Sequence, residues 1–308
     1  MQMKKVKPLL LIPVLILALP LLLSTSRSCA YAGSGQQIDT GRTEKADYAQ
    51  RMKAVAEQVA PKEGYQTKLI LGDLVPRMVA LGIIDMAKME ELYKARGGLS
   101  PEQKQMLTHP STVPLSVNAD NATWLVNILW PLGLANKMVI NKRSPIAGRH
   151  VNDFASAGGW QLGREKNGGA YFNRHDLIPL TAKQQQRVWR LATATYRPCC
   201  DNSTFFQDCN HGSAAMAILE MGVSQGLSDE EIYRTLLAFN SYWFEQNYLE
   251  TALYFNVIKK TDWNNVDPKL ALSRNYSSLS RWLKNVHAAV SKVPGLLPET
   301  ETGGTCGA

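Results

Sequence analysis

The residues most able to do chemistry lie together in one short segment, residues 196–213. It contains Cys199, Cys200, Cys209 and His211. Three thiols and an imidazole can bind Zn²⁺ tetrahedrally, and thiolates also bind Cu(I). The loop between Cys200 and Cys209 is longer than that of a common zinc knuckle, so spacing supports this assignment only in part. We predict a soft-metal site, holding a copper or zinc ion, formed by these four side chains.

The same cysteines allow two other interpretations. Adjacent cysteines rarely bond to each other, because the small ring distorts the intervening peptide, so Cys209 would pair with Cys199 or with Cys200. A reversible bond would make the segment a thiol–disulfide oxidoreductase site, whereas a stable bond would only staple the loop. Cys209 directly precedes a predicted helix start at Asn210, where N–H groups and the helix dipole favour a thiolate. Metal binding, redox chemistry and a structural disulfide are therefore competing hypotheses.

Two acidic residues of the segment are candidates for supporting roles. Asp201 and Asp208 are predicted either to hydrogen-bond His211, as carboxylates do for metal-bound histidines, or to cap the following helix. A site of this kind passes its ion or its electrons to another molecule. We therefore expect a partner protein for metal or thiol exchange.

Capped helices are predicted to hold the segment in place. Residues 181–184 read Thr-Ala-Lys-Gln, a capping box that opens a helix ending before Pro198. A second, apolar helix is expected from about Asn210 to Gln225, with Gly226 just past its end. Residues 228–231 read Ser-Asp-Glu-Glu and open a third helix in the same way. The chemistry-bearing loop would thus lie between rigid elements.

Helical spacing of apolar residues extends over most of the remaining chain, including residues 69–93. One β-hairpin is predicted where Trp160–Leu162 and Ala170–Phe172 flank the turn residues Asn167–Gly169. The expected fold is mainly α, a multi-helix globular domain with one small β-hairpin.

The amino terminus indicates export. A lysine-rich start is followed by an apolar run from Leu9 to Leu23 and by Ala30-Tyr31-Ala32, which has the form of a signal-peptidase site. The run is shorter than the ~20 residues of a spanning helix. We predict that residues 1–32 are a cleaved signal, with an uncleaved anchor or a lipoprotein at Cys29 as alternatives. The mature chain would have no membrane span and would be periplasmic or extracellular, where disulfides persist.

The rest of the chain is expected to form one main domain. Residues 33–43 resemble a linker, and residues 44–293 are predicted to form the helical domain, with a subdivision near residues 145–180. Residues 294–308 are expected to be a mobile tail, which carries Cys306.

Composition excludes several functional classes. Apolar residues make up 45% of the chain, which excludes a wholly disordered protein. The net charge is +8, but no run of Lys and Arg is interleaved with aromatic residues, so no nucleic-acid partner is expected. Neither glycine-rich phosphate-binding motif occurs, so no nucleotide site is expected.

A resemblance to a known family begins at the cysteine segment. Cys200, the run Asp208–Ala215, and the later Gly-Leu-Ser-Asp-Glu-Glu-Ile of residues 226–232 resemble the periplasmic thiol-reductase subunit of cytochrome c maturation. The likeness covers about 45 residues, and the segment as a whole also resembles exported bacterial proteins. The family carries its two thiols as C-x-x-C, of which one corresponds here to Cys199 or Cys200. The resemblance implies a helical hairpin beside a thiol that reacts with partner proteins.

Overall fold

The computed structural model describes residue 50 and residues 52–297, and these form a mainly α-helical fold. The longer helices are α1 (52–59), α2 (Leu74–Ala80), α3 (Met86–Lys94), α4 (Pro101–Thr108), α5 (Ala122–Ala135), α7 (Ala182–Ala194), α8 (Asn210–Ser224), α9 (Asp229–Trp243) and α10 (Glu245–Leu253). The short helices are α6 (Ala155–Gly158), α11 (Pro268–Ala271), α12 (Arg274–Ser277), α13 (Leu279–Trp282) and α14 (Ala288–Val290), with π-helical segments at Tyr254–Ile258 and Leu283–His287. The predicted fold class is confirmed.

The small sheet is not where the sequence placed the hairpin. Strand β1 (Tyr65–Gly72) pairs antiparallel with β2 (Ser111–Val117), and Tyr65 lies opposite Val117. Thr67, Leu69 and Leu71 are buried, whereas Lys68 and Ile70 between them are exposed. This period of two is the signature of a strand with one covered face, and residues 69–72 of the strand fall within the segment 69–93 that the sequence predicts to be helical.

The predicted hairpin at residues 160–172 contains no strand. Gly168–Ala170 forms a single 3₁₀ turn. The Trp160 indole donates a hydrogen bond to the carbonyl of Ile83, and the Tyr171 hydroxyl donates one to the carbonyl of Gly82, at 2.9 and 2.7 Å. The aromatic residues around the Gly-Gly turn are therefore buried anchors, each with its polar atom satisfied, rather than cross-strand pairs.

Helix α8 lies at the centre of the larger apolar core. It is buried from Gly212 to Val223 and packs most extensively against α5. The two helices approach so closely that a β-carbon on Gly133 would overlap the carbonyl oxygen of Ser213. Because glycine is required there, this contact fixes α8 and the loop that precedes it.

The helix starts that flank the cysteine segment agree with their predictions. The hydroxyls of Thr181 and Ser228 each accept a hydrogen bond from the backbone N–H three residues on, and the side-chain oxygens of Gln184 and Glu231 accept one from the backbone N–H of the capping residue. Gly226 takes a positive φ of 77° just past α8. These local signals set the ends of α7, α8 and α9.

Several predicted boundaries lie outside the described residues. The signal at residues 1–32, the linker at 33–43, and most of the tail at 294–308, including Cys306, stay predictions. Within the part of the chain that the structure describes, no helix is both long and apolar enough to cross a bilayer.

Candidate metal and thiol site

The cysteine segment is a loop between α7 and α8, and backbone hydrogen bonds tie its first residues to the carboxy-terminal helices. The N–H of Tyr196 donates to the carbonyl of Leu272 at 2.8 Å, and the N–H of Leu279 donates to the carbonyl of Cys200 at 3.0 Å. The carboxy-terminal helices thus fix the loop from outside. A loop tied to two helical elements can keep several side chains together at modest entropic cost.

The loop brings three sulfur atoms together. The Sγ atoms of Cys199, Cys200 and Cys209 all lie within 4.8 Å of one another, and those of Cys199 and Cys209 are 3.6 Å apart. All three are free thiols; Cys199 is exposed and the other two are half-buried. Cys209 is the N-cap of α8, and its sulfur accepts a hydrogen bond from the N–H of Gly212 at 3.4 Å. A sulfur cluster open on one side can take up a small ligand or meet a partner.

A buried arginine, for which the sequence pattern predicts no role, lies against this cluster. Arg197 is fully buried. Its Nε donates to the sulfur of Cys209 at 3.1 Å, and its guanidinium forms an ion pair with Asp208. Gly212 makes room for it, because a β-carbon there would come 2.6 Å from the guanidinium. The only feature of the sequence that points to this role of Arg197 is its positive charge two residues before Cys199.

The two acidic candidates serve different purposes. Asp208 accepts from the side-chain amide of Asn202 at 2.7 Å, in addition to its pairing with Arg197. Asp201 instead accepts from the backbone and hydroxyl of Ser280 at 2.8 and 2.9 Å, at the start of α13. These partners replace the predicted bonds from either residue to His211. Asp208 orients the arginine, and Asp201 ties the loop to α13.

His211 lies outside the group of three sulfurs. Its ring packs against Trp243 and Phe244, with centroids 5.4 and 4.7 Å apart. Desolvation by these neighbours, to which the Arg197 charge adds, lowers its pKa to about 4, against the opposing effect of Cys209. The imidazole is therefore neutral at pH 7 and forms part of an aromatic contact between α8 and the end of α9.

The three thiols differ in acidity. Hydrogen bonds from Cys199 and Cys200, together with the Arg197 guanidinium, hold the pKa of Cys209 far below its usual range. Hydrogen bonding to Cys200 and Cys209 raises the pKa of Cys199. For Cys200, the bond with Cys199 lowers the pKa, but the bond with Cys209 and burial outweigh it and raise the value to about 11. The cluster thus shares one negative charge at neutral pH, centred on Cys209.

Comparison with known proteins adds no relative: no family model, no curated protein and no solved structure matches the chain.

Proposed function

We propose that the protein binds a soft metal ion, Cu(I) before Zn²⁺, through the sulfurs of Cys199, Cys200 and Cys209. The observation that carries the proposal is the convergence of three free thiols within 4.8 Å. Three sulfurs placed about 2.3 Å from one central ion in a plane would be about 4 Å from each other. The 3.6 Å between Cys199 and Cys209 is close to that spacing, so small side-chain adjustments suffice.

Charge also favours a soft cation held by thiolates. Arg197 and Asp208 neutralise each other, so the shared thiolate negative charge has no full counter-ion. A cation bound by thiolates would supply it. Cu(I) needs only two or three sulfur ligands, whereas structural Zn²⁺ is almost always four-coordinate. His211, the fourth ligand predicted from the sequence, stays a prediction; its ring packs at an angle against Trp243 and Phe244.

The experiment is anaerobic metal titration of the reduced chain against a competing chelator. We expect about one Cu(I) per chain. Substitution of Cys199, Cys200 or Cys209 by Ser should weaken binding by about a hundredfold or more, because a hydroxyl is a poor ligand for this ion. The matched variant His211→Phe keeps the aromatic contact and removes the imidazole, so it should retain the wild-type affinity. Equal Cu(I) retention by wild type and the cysteine variants would refute the proposal.

A second function, thiol–disulfide exchange with partner proteins, is supported by one specific observation. The Cys209 sulfur is an activated thiolate 3.6 Å from the Cys199 sulfur. Cys209 would attack a partner disulfide and release one partner sulfur as a thiolate. Cys199 would then pass its proton to the released partner thiolate and attack the mixed disulfide, freeing the second partner sulfur as a thiolate. The partner disulfide gains two electrons, and the Cys199–Cys209 pair is oxidised to a disulfide.

The two functions differ in their measurable signatures. Redox exchange requires Cys199 and Cys209 but not Cys200, whereas loss of any one of the three thiols should weaken metal binding. A moderate reduction potential that is unchanged in Cys200→Ser would favour exchange. A Cys199–Cys209 disulfide that resists reduction, in a protein that takes up no metal, would leave only the structural staple. Export of the chain, which the amino-terminal sequence predicts, is tested by the intact mass of the secreted product.

A further inference from the structure

The stretch next to the cysteine loop is strongly basic. Residues 268–297 contain five Lys and Arg and neither Asp nor Glu. All five basic side chains are exposed: Lys269, Arg274, Arg281, Lys284 and Lys292. Exposed positive charge attracts molecules of the opposite sign and accelerates their approach.

Part of this stretch directly adjoins the sulfur cluster. The N–H of Leu279 donates to the carbonyl of Cys200 at 3.0 Å, and the next residue, Ser280, bonds to Asp201 at 2.8 Å. Helix α13 is thus attached to the same loop that carries the exposed thiol of Cys199. A molecule seated on α13 would lie beside the loop that carries that thiol.

Two exposed leucines lie among these charges. Leu279 and Leu283 are 39% and 44% exposed, and they are four residues apart in α13 and the π-helical segment that follows it. Residues at this spacing are neighbours on a helix surface. We call the exposed positions of this stretch, Leu279, Arg281, Leu283 and Lys284, the basic surface. Exposed apolar residues rimmed by charge are typical of a protein interaction site.

We infer that the basic surface docks an acidic partner protein that brings its own thiol or thioether donors to the cysteine loop. The partner's role rests on the proposed copper function. Ligand exchange requires that donor sulfurs come within bonding distance of the ion, and charge complementarity identifies the acidic face that would bring them there. An anionic membrane would also match the charge, but a lipid surface carries no sulfur donor, so a protein is the occupant that fits the neighbouring site.

The test uses the full reduced, metal-free chain and a fluorescent peptide. The peptide contains S-x-x-S, the serine version of a C-x-x-C motif, and glutamates flank it on both sides. Fluorescence anisotropy measures its binding without any metal. The matched peptide carries lysines in place of the glutamates. We expect the acidic peptide to bind at least about tenfold more tightly, with an affinity that falls as salt screens the charges.

Variants identify the surface. Arg281→Glu combined with Lys284→Glu should weaken binding of the acidic peptide by about tenfold. The matched change Lys104→Glu, in the exposed part of α4, should leave it within about twofold. Leu279→Ser with Leu283→Ser should also weaken binding by about tenfold, because two partly exposed leucines lose their contact. Leu92→Ser, an equally exposed leucine on α3, is the apolar control.

Three results would overturn the inference: equal binding of the acidic and basic peptides, no effect of the Arg281 and Lys284 reversals, or tight association with phosphatidylserine vesicles through these same residues without peptide binding. The result is independent of Cu(I), because the peptide has no thiols and the protein is metal-free. Failure of the copper titration with normal peptide docking would therefore refute the proposed function alone. Normal copper binding without peptide docking would refute only the inference that the basic surface docks an acidic partner.

Discussion

The shared negative charge of the sulfur cluster predicts how the stability of the reduced protein depends on pH. In the folded state Cys209 is ionised while Cys199 and Cys200 stay protonated, so the cluster holds two protons. In the unfolded chain all three thiols titrate near pH 8.5, about the ordinary value for a cysteine. The depressed pKa of Cys209 contributes stability that grows as pH rises toward that value. The raised pKa values of Cys199 and Cys200 contribute stability that is lost as the pH rises above about 8.5.

The magnitude follows from counting protons. Stability changes by about 1.4 kcal/mol per pH unit for each proton by which the unfolded and folded states differ. Below about pH 7 the unfolded cluster holds one proton more than the folded cluster. The difference falls to zero at about pH 8.2, where each unfolded thiol is about two-thirds protonated. Integration gives a gain of about 2 kcal/mol from about pH 6 to 8.2, and a loss of about 1 kcal/mol over the next pH unit.

Urea unfolding in the presence of a phosphine reductant and a chelator measures this effect. The quantity of interest is the difference in unfolding free energy between wild type and the variant with all three cysteines changed to serine, because other titrating groups cancel. This difference should pass through a maximum near pH 8. The single variant Cys209→Ser removes the thiol whose pKa is held far below its usual range, so the rise below pH 8 should be smaller than in the wild type. A flat profile, or a wild-type profile without a maximum, would refute the charge assignment.

Three further predictions concern the surroundings of the cluster. Gly212→Ala should displace the Arg197 guanidinium, destabilise the protein by about 1–3 kcal/mol and raise the pH at which Cys209 reacts with iodoacetamide, a shift that peptide mapping would locate; an unchanged reactivity profile would contradict the role of Arg197. Glu220 is fully buried without a hydrogen bond to either oxygen, and burial raises its pKa. Glu220→Gln should therefore stabilise the protein by about 1–3 kcal/mol at pH 7 but not below pH 4, as denaturant melts would show; a less stable variant at pH 7 would count against this view. The lowered pKa of His211 contributes stability above about pH 6.5 that is lost as the pH falls toward 4. His211→Phe should recover about 3 kcal/mol of that loss in acid melts, and parallel profiles for both proteins would exclude it.

Local chemistry in the sequence was sufficient to predict the helices around the site. A capping box involves residues only three positions apart, so Thr181 with Gln184 and Ser228 with Glu231 could be recognised without knowledge of the fold. The crowding of three cysteines in one loop likewise predicted that their sulfurs could meet. In each case the interacting groups are near neighbours along the chain, and chain connectivity does most of the positioning.

The sheet, the arginine and the histidine were decided by tertiary packing. Strands β1 and β2 are separated by three helices, so their pairing has no local signal. Arg197 resembles a surface charge until the loop folds back and buries it against Asp208 and Cys209. His211 has the spacing of a ligand, but its ring packs on the end of α9. A side chain's direction depends on which elements surround it, and burial free energy summed over many distant contacts determines that arrangement.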